Sequence, residues 1–307
     1  MNALEFDYVI VGAGSAGCVL ADRLTQCGKF SVLLLESGGS DARFWVKVPL
    51  GYAINVSNPA VNWGYQTAPD PGLNARSTLW PRGRLIGGSS SINAMAYVRG
   101  LAQRVGIGRR SVRSMTEWKP AAISASMAAS PKAMVRCGCL TCLTKWPRFH
   151  IPFCRLPKIW GMRSIPDMNA PDTSGVSYYR STVRKGIRWS SADAFLRPAQ
   201  KRPNLTVITK ANVNRLISAG PTVKGVTFNR GHQVQVATAN REVILCAGAI
   251  NSPKILQLSG FGPAKTLRRH GIAVRRDLPQ VGQGLQDHLD QMSVLRRRLL
   301  PWFSRRT

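Results

Sequence analysis

The first forty residues alternate between apolar runs and a glycine-rich turn, which predicts a β-turn-α-β unit. Residues 6–11 are a short β-branched run of the kind that fills a buried parallel strand. Apolar positions then recur at helical spacing, and Gly28 is expected to close the helix. Residues 31–35 predict a second buried strand that ends at Glu36. This order indicates a Rossmann-like α/β fold.

Later segments show the alternation of apolar and polar positions that is typical of strands. Residues 205–213 and 223–228 alternate in this way, and residues 233–238 alternate too and are expected to pair as an antiparallel hairpin. Residues 242–245 predict another buried strand. Residues 252–258 predict a helix.

The turn after the first strand carries the spacing G-x-G-x-x-G. Gly12 permits the tight turn, Gly14 has no side chain to block a pyrophosphate, and Gly17 lets the helix pack close to the strand. The helix N-terminus faces the phosphate charge. Glu36 stands about 20 residues on, where a carboxylate accepts from a ribose hydroxyl. Together these features predict a dinucleotide site, either FAD or NAD.

The net charge of +29 is extreme for an enzyme and is usually a sign of an anionic partner such as nucleic acid. Its distribution argues otherwise. Residues 102–165 hold twelve Lys or Arg against one acid, and residues 293–307 hold five Arg and no acid. More than half of the excess charge therefore lies in two stretches, and no specific nucleic-acid partner is expected.

Compartment and cysteine use suggest an ordinary intracellular protein. No apolar run reaches the roughly 20 residues of a membrane span. The N-terminus lacks the basic region of a signal peptide, so a cytoplasmic location is the default expectation. Cys18, Cys27 and Cys246 stand in apolar surroundings and are predicted to be small buried hydrophobes.

Two segments in the first two thirds of the chain resemble motifs of the glucose–methanol–choline (GMC) oxidoreductases. Residues 83–93, Gly-Arg-Leu-Ile-Gly-Gly-Ser-Ser-Ser-Ile-Asn, closely resemble the family's first signature. Residues 93–100 continue it in the manner of choline dehydrogenases and bacterial alcohol dehydrogenases. Residues 188–198 also fit the family pattern.

Two later segments strengthen the resemblance. Residues 248–262 resemble the family's second signature, with Phe261 where the pattern prefers an aliphatic residue. Residues 281–288 resemble a V-G-x-N-L-Q-D-H stretch, with Gly284 in place of Asn. The motifs are long and occur in the family's order.

The resemblance implies FAD as the cofactor and an alcohol as the substrate, oxidised by hydride transfer to the flavin. Because Ile92 stands where some relatives carry a histidine bonded to the flavin, non-covalent FAD is expected. The turn at 87–90 is implied to approach the cofactor through its backbone, the Asn93 region to lie near the isoalloxazine, and Val213 to meet the adenine end. The candidate cofactor-binding residues are Gly12, Gly14, Ser15, Gly17, Glu36, Arg84, Gly87, Gly88, Ser89, Asn93, Ala94, Met95, Ala96, Val213, Ala247 and Gly248.

The implied architecture is a Rossmann-like FAD-binding domain with an incomplete α+β substrate domain. Residues 1–101 and 205–292 are expected to form the two parts of the FAD-binding domain, and residues 166–204 a partial substrate-domain region. Residues 102–165 form a basic, cysteine-rich segment and residues 293–307 a basic tail, and neither resembles the family.

No catalytic residue is predicted in this chain. Alcohol oxidation needs a base with a pKa near neutrality, which is usually histidine. Relatives place that histidine far downstream, beyond the end of this chain. The four histidines present are expected to be surface or structural residues: His150, His232, His270 and His288.

One hypothesis explains both atypical stretches by shifts of the reading frame. A compensating pair would account for residues 102–165, and another shift near residue 292 would lead to an early stop. Translating the other frames of the coding DNA tests this hypothesis, which fails if no frame restores family-like sequence.

The alternative takes the two stretches at face value. Four zinc ligands would be available among five side chains, but the irregular spacing favours unpaired thiols, and no metal ligand is assigned: Cys137, Cys139, Cys142, His150 and Cys154. Residues 293–307 would contact nucleic acid or an anionic membrane, although a solvated tail is favoured.

Three functions follow from these observations. The chain is a working FAD-dependent alcohol dehydrogenase whose missing half another chain supplies, a truncated and inactive flavoprotein, or a non-catalytic basic protein that reuses a nucleotide fold. The oxidoreductase lineage is expected, with the inactive form favoured for this chain.

Overall fold

The computed structural model describes residues 4–98 and 180–287 continuously, together with short pieces between them. These pieces are residues 139–140, 161, 163–167, 169, 175 and 177. Most of the segment predicted to be atypical, its candidate zinc ligands, His288 and the basic tail therefore lie outside the described residues. The exceptions within residues 102–165 are the backbone of Cys139–Leu140 and residues 161 and 163–165.

The strands, numbered in chain order, are β1 (Leu4–Val11), β2 (Val32–Glu36), β3 (Tyr65–Gln66), β4 (Leu79–Trp80), β5 (Ala96–Tyr97), β6 (Cys139–Leu140), β7 (Arg180–Arg184), β8 (Ile187–Arg188), β9 (Leu205–Thr209), β10 (Ala211–Ala219), β11 (Thr222–Arg230), β12 (Gln233–Leu245), β13 (Phe261–Gly262) and β14 (Arg276–Asp277). The α-helices are α1 (Ser15–Thr25), α2 (Phe44–Lys47), α3 (Tyr52–Asn55), α4 (Arg197–Ala199), α5 (Gly248–Leu258) and α6 (Ala264–Arg269). Short 3₁₀ turns occur at Pro49–Gly51, Pro71–Leu73 and Gly88–Ser91, and a π-helical turn at Ala192–Leu196 precedes α4.

A six-stranded mixed sheet in the order β10-β11-β12-β1-β2-β9 carries the fold. Strands β12, β1, β2 and β9 run parallel, with Val9 opposite both Leu33 and Val243. Strands β10, β11 and β12 are antiparallel neighbours, and Gly225 faces Thr238. The predicted first βαβ unit and the predicted hairpin are thus confirmed.

The structure differs from the prediction in two strands of the antiparallel part of the sheet, β10 and β12. The single strand predicted over residues 205–213 is broken at Lys210, whose φ of 55° turns the chain, so β9 and β10 lie at opposite edges of the sheet order. The two strands predicted at 233–238 and 242–245 are one continuous strand, β12. Strand β1 pairs along both halves of β12, with a bulge between Phe6 and Tyr8.

The parallel strands are apolar on both faces because each face is covered by a different layer. The residues of one face pack against the antiparallel strands and α5, and the contacts there include Val9, Val11, Leu33, Leu35, Val226, Phe228 and Ile255. The residues of the other face pack against α1 and the turn before α4, and the contacts there include Ile10, Leu34, Cys18, Ala21, Phe195 and Leu196. The result is three layers around the parallel strands.

The predicted burial of three cysteines is only partly correct. Cys18 is fully buried and Cys246 is partly buried, but Cys27 is exposed. Helix α1 ends at Thr25, and Gly28 N–H donates to the Thr25 carbonyl, so Cys27 lies in the turn after the helix and not on its packed face. Among the described residues, no helix is both long and apolar enough to cross a bilayer.

Ser259→Ala is expected to destabilise the protein by about 2 kcal/mol, because it leaves a buried amide without an acceptor. The Ser259 hydroxyl, at the end of α5, accepts from Leu216 N–H of β10 at 2.8 Å and donates to the Ile255 carbonyl at 2.6 Å. Urea unfolding measures the change. Ser57→Ala, at an exposed serine, is the control, and equal stabilities of the two variants would contradict the prediction.

Candidate dinucleotide-binding site

The carboxyl ends of the central parallel strands β1, β2 and β12 open into a cleft of about 750 Å³. This is the edge at which parallel α/β sheets bind nucleotides. The cleft runs between the glycine turn before α1, the start of α5 and the first residues of β10. The volume is within the usual range for a site that takes a small organic ligand.

Two glycines of the G-x-G-x-x-G turn are required by the packing of the protein itself. Gly12 has a φ of +101°, and a Cβ on it would lie 2.6 Å from the Cys246 carbonyl oxygen. A Cβ on Gly17 would lie 1.9 Å from the Gly12 carbonyl oxygen, so α1 touches the turn directly. These glycines shape the turn and need no ligand to explain them.

Gly14 differs, because the direction in which a side chain would leave its α-carbon is open. A Cβ there would meet only the Cys246 carbonyl oxygen, at 3.9 Å, which is an ordinary contact. Its φ of −77° suits any residue. Nothing in the described protein therefore demands glycine at this position, and the exposed backbone leaves room for a ligand to approach it closely. Ser15 lines the same cleft as the first residue of α1.

Glu36 is a buried carboxylate at the end of β2, only 6% exposed. One oxygen accepts from Ala13 N–H and the other from Gly38 N–H, both at 2.8 Å. Burial raises the pKa of Glu36 to about 7, although these two bonds and the charge of Arg84 act in the opposite direction. The carboxylate lines the cleft in one fixed orientation.

The first-signature turn packs directly on the glycine turn. Gly87 N–H donates to the Ala13 carbonyl at 2.7 Å, and a Cβ on Gly88 would lie 2.8 Å from the Gly14 α-carbon. The Ser89 hydroxyl accepts from Gly83 N–H and closes the turn. Two motifs with 65 residues between them, from Gly17 to Gly83, thus form one wall of the cleft.

The structure brings nine of the sixteen sequence-predicted residues to the cleft. The nine are Gly12, Gly14, Ser15, Glu36, Gly88, Ser89, Val213, Ala247 and Gly248. The other seven stand behind or beside it: Gly17 and Gly87 support the turns, Arg84 stacks over Trp63, and Asn93, Ala94, Met95 and Ala96 follow the first-signature turn. Their contacts with a cofactor stay a prediction.

Sequence reasoning missed an aromatic wall of the cleft. The rings of Trp63 and Tyr65 stack at 5.8 Å with an interplanar angle of 9°, and the Arg84 guanidinium lies 5.0 Å from the Trp63 ring centre. The Tyr65 hydroxyl donates to Asn251 Oδ1 at 2.7 Å, which ties the wall to α5. Trp63 and Tyr65 are two residues apart, a spacing that places both side chains on one face of an extended segment. This spacing could have predicted the aromatic wall from the sequence.

The charge of the lining suits a pyrophosphate. Arg82, Arg215 and Lys254 line the cleft, whereas Glu36 is the single acidic residue of the lining among the described residues. With the open backbone at Gly14 and the free N-terminus of α1, these cations provide an environment for two phosphate charges. No cluster of three or more His, Cys, Asp or Glu that suits a metal ion occurs within the described part of the chain.

This sheet, turn and buried acid define a dinucleotide-binding α/β protein. The GMC oxidoreductase family model matches residues 6–290, and the chain belongs to that family. The family consists of flavoproteins that bind FAD. The resemblance inferred from the two signatures and the expected Rossmann-like fold are therefore confirmed.

Known relatives match nearly the whole chain. The alcohol dehydrogenase [acceptor] of Pseudomonas putida is 39% identical over 93% of the chain and 53% of its own length. The oxygen-dependent choline dehydrogenase of Rhizobium meliloti (strain 1021) is 38% identical over 98% of the chain and 57% of its own length. The chain thus spans about half the length of the curated relatives it matches.

Solved structures agree on the fold. Pyridoxine 4-oxidase from Mesorbium loti superposes with a TM-score of 0.71 at 27% identity, over 91% of this chain and 56% of that one. An FAD-dependent oxidoreductase from Chaetomium thermophilum superposes with a TM-score of 0.72 at 25% identity, over 89% of this chain and 51% of that one.

Proposed function

We propose that the chain binds FAD without a covalent link and forms the cofactor-binding portion of an oxidoreductase that acts on alcohols. The observation that carries the proposal is the open backbone at Gly14, beside the buried carboxylate of Glu36. The family supports FAD over NAD. Ile92, which is 3% exposed, offers no nucleophile for a covalent flavin.

The cleft residues divide into four roles toward the cofactor. Glu36 accepts a hydrogen bond from a ribose hydroxyl, and the backbone of Val213 borders the adenine. The amides at the start of α1, with Gly14 and Ser15, surround the pyrophosphate. Gly88 and Ser89 contact the start of the flavin half of the cofactor. The bound flavin supplies a two-electron acceptor for hydride.

An alcohol is the proposed substrate because the relatives include alcohol and choline dehydrogenases. The described residues do not supply the base. His232 lies in the turn between β11 and β12, and His270 lies at the end of α6; neither lines the cleft. Turnover is therefore proposed to need groups outside the described residues. We also infer a cytoplasmic location and no nucleic-acid partner, as the sequence predicts.

Purification of the chain tests the proposal directly. We expect protein with a flavin absorption spectrum, and we expect acid precipitation to release all of the FAD into the supernatant. Flavin retained in the pellet would contradict the non-covalent link. Colourless, folded protein that does not take up added FAD would contradict the cofactor.

A second assay separates cofactor binding from turnover. Choline and primary alcohols are added anaerobically to the FAD-loaded chain, and flavin bleaching is followed. Bleaching by an alcohol supports the substrate class and shows that the chain carries a base. Unbleached flavin supports the inactive form that the sequence favours.

A further inference from the structure

A fully buried arginine lies beneath the first-signature turn. Arg188, the last residue of β8, has no exposed surface. Its Nε donates to the Val46 carbonyl at 2.9 Å, and its Nη1 donates to the Ser90 carbonyl at 3.2 Å and to Asn93 Oδ1 at 2.9 Å. Within the described residues, its Nη2 has no hydrogen-bond partner. A buried guanidinium is costly unless it is paired, so these contacts are expected to matter.

Arg188 fixes the orientation of the Asn93 amide. Asn93 Oδ1 accepts from Arg188 Nη1 and also from Met95 N–H, at 3.1 Å. Both partners are donors, which assigns this atom as the oxygen. Asn93 is exposed, so its NH₂ group remains available as a donor on the outer side of the loop.

The same contacts hold a strained residue. Met95 is buried and has a φ of +63°, a conformation that a methionine rarely adopts. Its N–H is held by Asn93 Oδ1, and its carbonyl accepts from Thr182 N–H at 3.0 Å. Strained backbone of this kind persists where the surroundings fix it, and it concentrates at ligand sites.

The loop of residues 90–95 lies on the side of the pyrophosphate turn away from the residues proposed to bind adenosine. In the proposed function, Glu36 and Val213 line the adenosine end of the cleft and Gly14 faces the pyrophosphate. Gly88 touches Gly14, and the loop of residues 90–95 follows directly after the turn that contains Gly88. Residues 90–95 stand beside the cleft and not in its lining, so a cofactor that continues past the phosphates in this direction would approach that loop.

We propose that Arg188 is a positioning residue that holds residues 90–95 in the conformation that receives the flavin half of FAD, with the Asn93 amide group as the presented donor. This inference rests on the proposed function. Arg188 touches no cofactor itself; it acts through Ser90 and Asn93. Burial lowers the pKa of Arg188 to about 10, so the guanidinium is charged at neutral pH.

The test compares FAD with ADP, which lacks the flavin half. Isothermal titration with the full chain is expected to show that Arg188→Met weakens FAD binding by about tenfold, the effect of a lost charge-assisted contact, and leaves ADP binding unchanged within about twofold. Arg188→Lys, which keeps the charge without the fork of donors, is expected to recover part of the loss. The visible circular dichroism of bound flavin should change in parallel.

Asn93→Ala provides a second test if Arg188→Met does not fold, because Asn93 is exposed and Arg188 is buried. It is expected to weaken FAD binding and not ADP binding, and to add little to the loss caused by Arg188→Met in the double variant. Equal losses for FAD and ADP, or no loss for either, would overturn the positioning role. A wild-type chain that binds neither ligand would overturn the proposed function itself, and the inference with it.

Discussion

Gly14→Ala is expected to weaken FAD binding by at least about a hundredfold while leaving the cofactor-free protein folded, because the new methyl group fills space that the pyrophosphate needs. The structure separates the effect on FAD binding from the effect on stability. A Cβ at Gly14 meets a single protein atom at 3.9 Å, and the backbone there suits alanine. The cost to cofactor-free stability is expected to stay within about 1 kcal/mol.

Gly17→Ala is the matched control, because the same methyl group then strikes the protein and not the ligand. A Cβ at Gly17 would lie 1.9 Å from the Gly12 carbonyl oxygen, and backbone on both sides cannot yield easily. We expect a loss of about 3 kcal/mol of stability. Thermal unfolding of cofactor-free protein and FAD titration distinguish the two variants. If Gly14→Ala binds FAD like the wild type, the pyrophosphate lies elsewhere.

The sequence was informative where local constraints dictate residue type. A tight turn requires glycine at position 12, and a closely packed helix requires it at position 17. Glu36 is recognisable from its place at the end of a strand. Each of these residues can therefore be identified from its own short segment. The fold class followed from the same segment. The family motifs extended the prediction to two walls of one cleft, although they lie far apart in the chain.

The features that sequence reasoning missed depend on contacts between distant segments. Lys210 has a left-handed φ and breaks a continuous alternating run. This turn takes β10 to the opposite edge of the sheet from β9, which the local propensity of lysine does not predict. Arg188 resembles an ordinary strand-end cation, and only the fold brings Val46 and Asn93 to it. The stacking of Trp63 on Tyr65 is likewise a product of the folded loop.

The cofactor-free protein is expected to lose stability as the pH rises from about 4.5 to about 7, because Glu36 then ionises in the unfolded chain before it does so in the native one. Burial raises the native pKa of Glu36 to about 7, from an ordinary value of 4.5. In this window the native state binds more protons than the unfolded state, so the free energy of unfolding falls with pH. The loss approaches about 3 kcal/mol at most and is complete above pH 7.

Glu36→Gln isolates this contribution because glutamine does not titrate. The difference in unfolding free energy between the wild type and Glu36→Gln, measured in urea from pH 4 to pH 8, should decline through the window and then level off. The amide also presents its NH₂ group to Ala13 N–H or Gly38 N–H, so the variant is expected to be less stable than the wild type at pH 4. A pH-independent difference would contradict a raised pKa.

FAD binding should show the opposite trend with pH. A ribose hydroxyl donates a hydrogen bond to the ionised carboxylate, so the cofactor prefers the deprotonated form of Glu36 and lowers its pKa. Below pH 7 that form must first be produced, and the Kd for FAD is expected to rise by up to about tenfold for each pH unit. Fluorescence titrations at pH 5.5, 6.5 and 7.5, repeated with Glu36→Gln, measure the slope. The variant should bind FAD weakly and without this slope; equal slopes in both proteins would place the ribose away from Glu36.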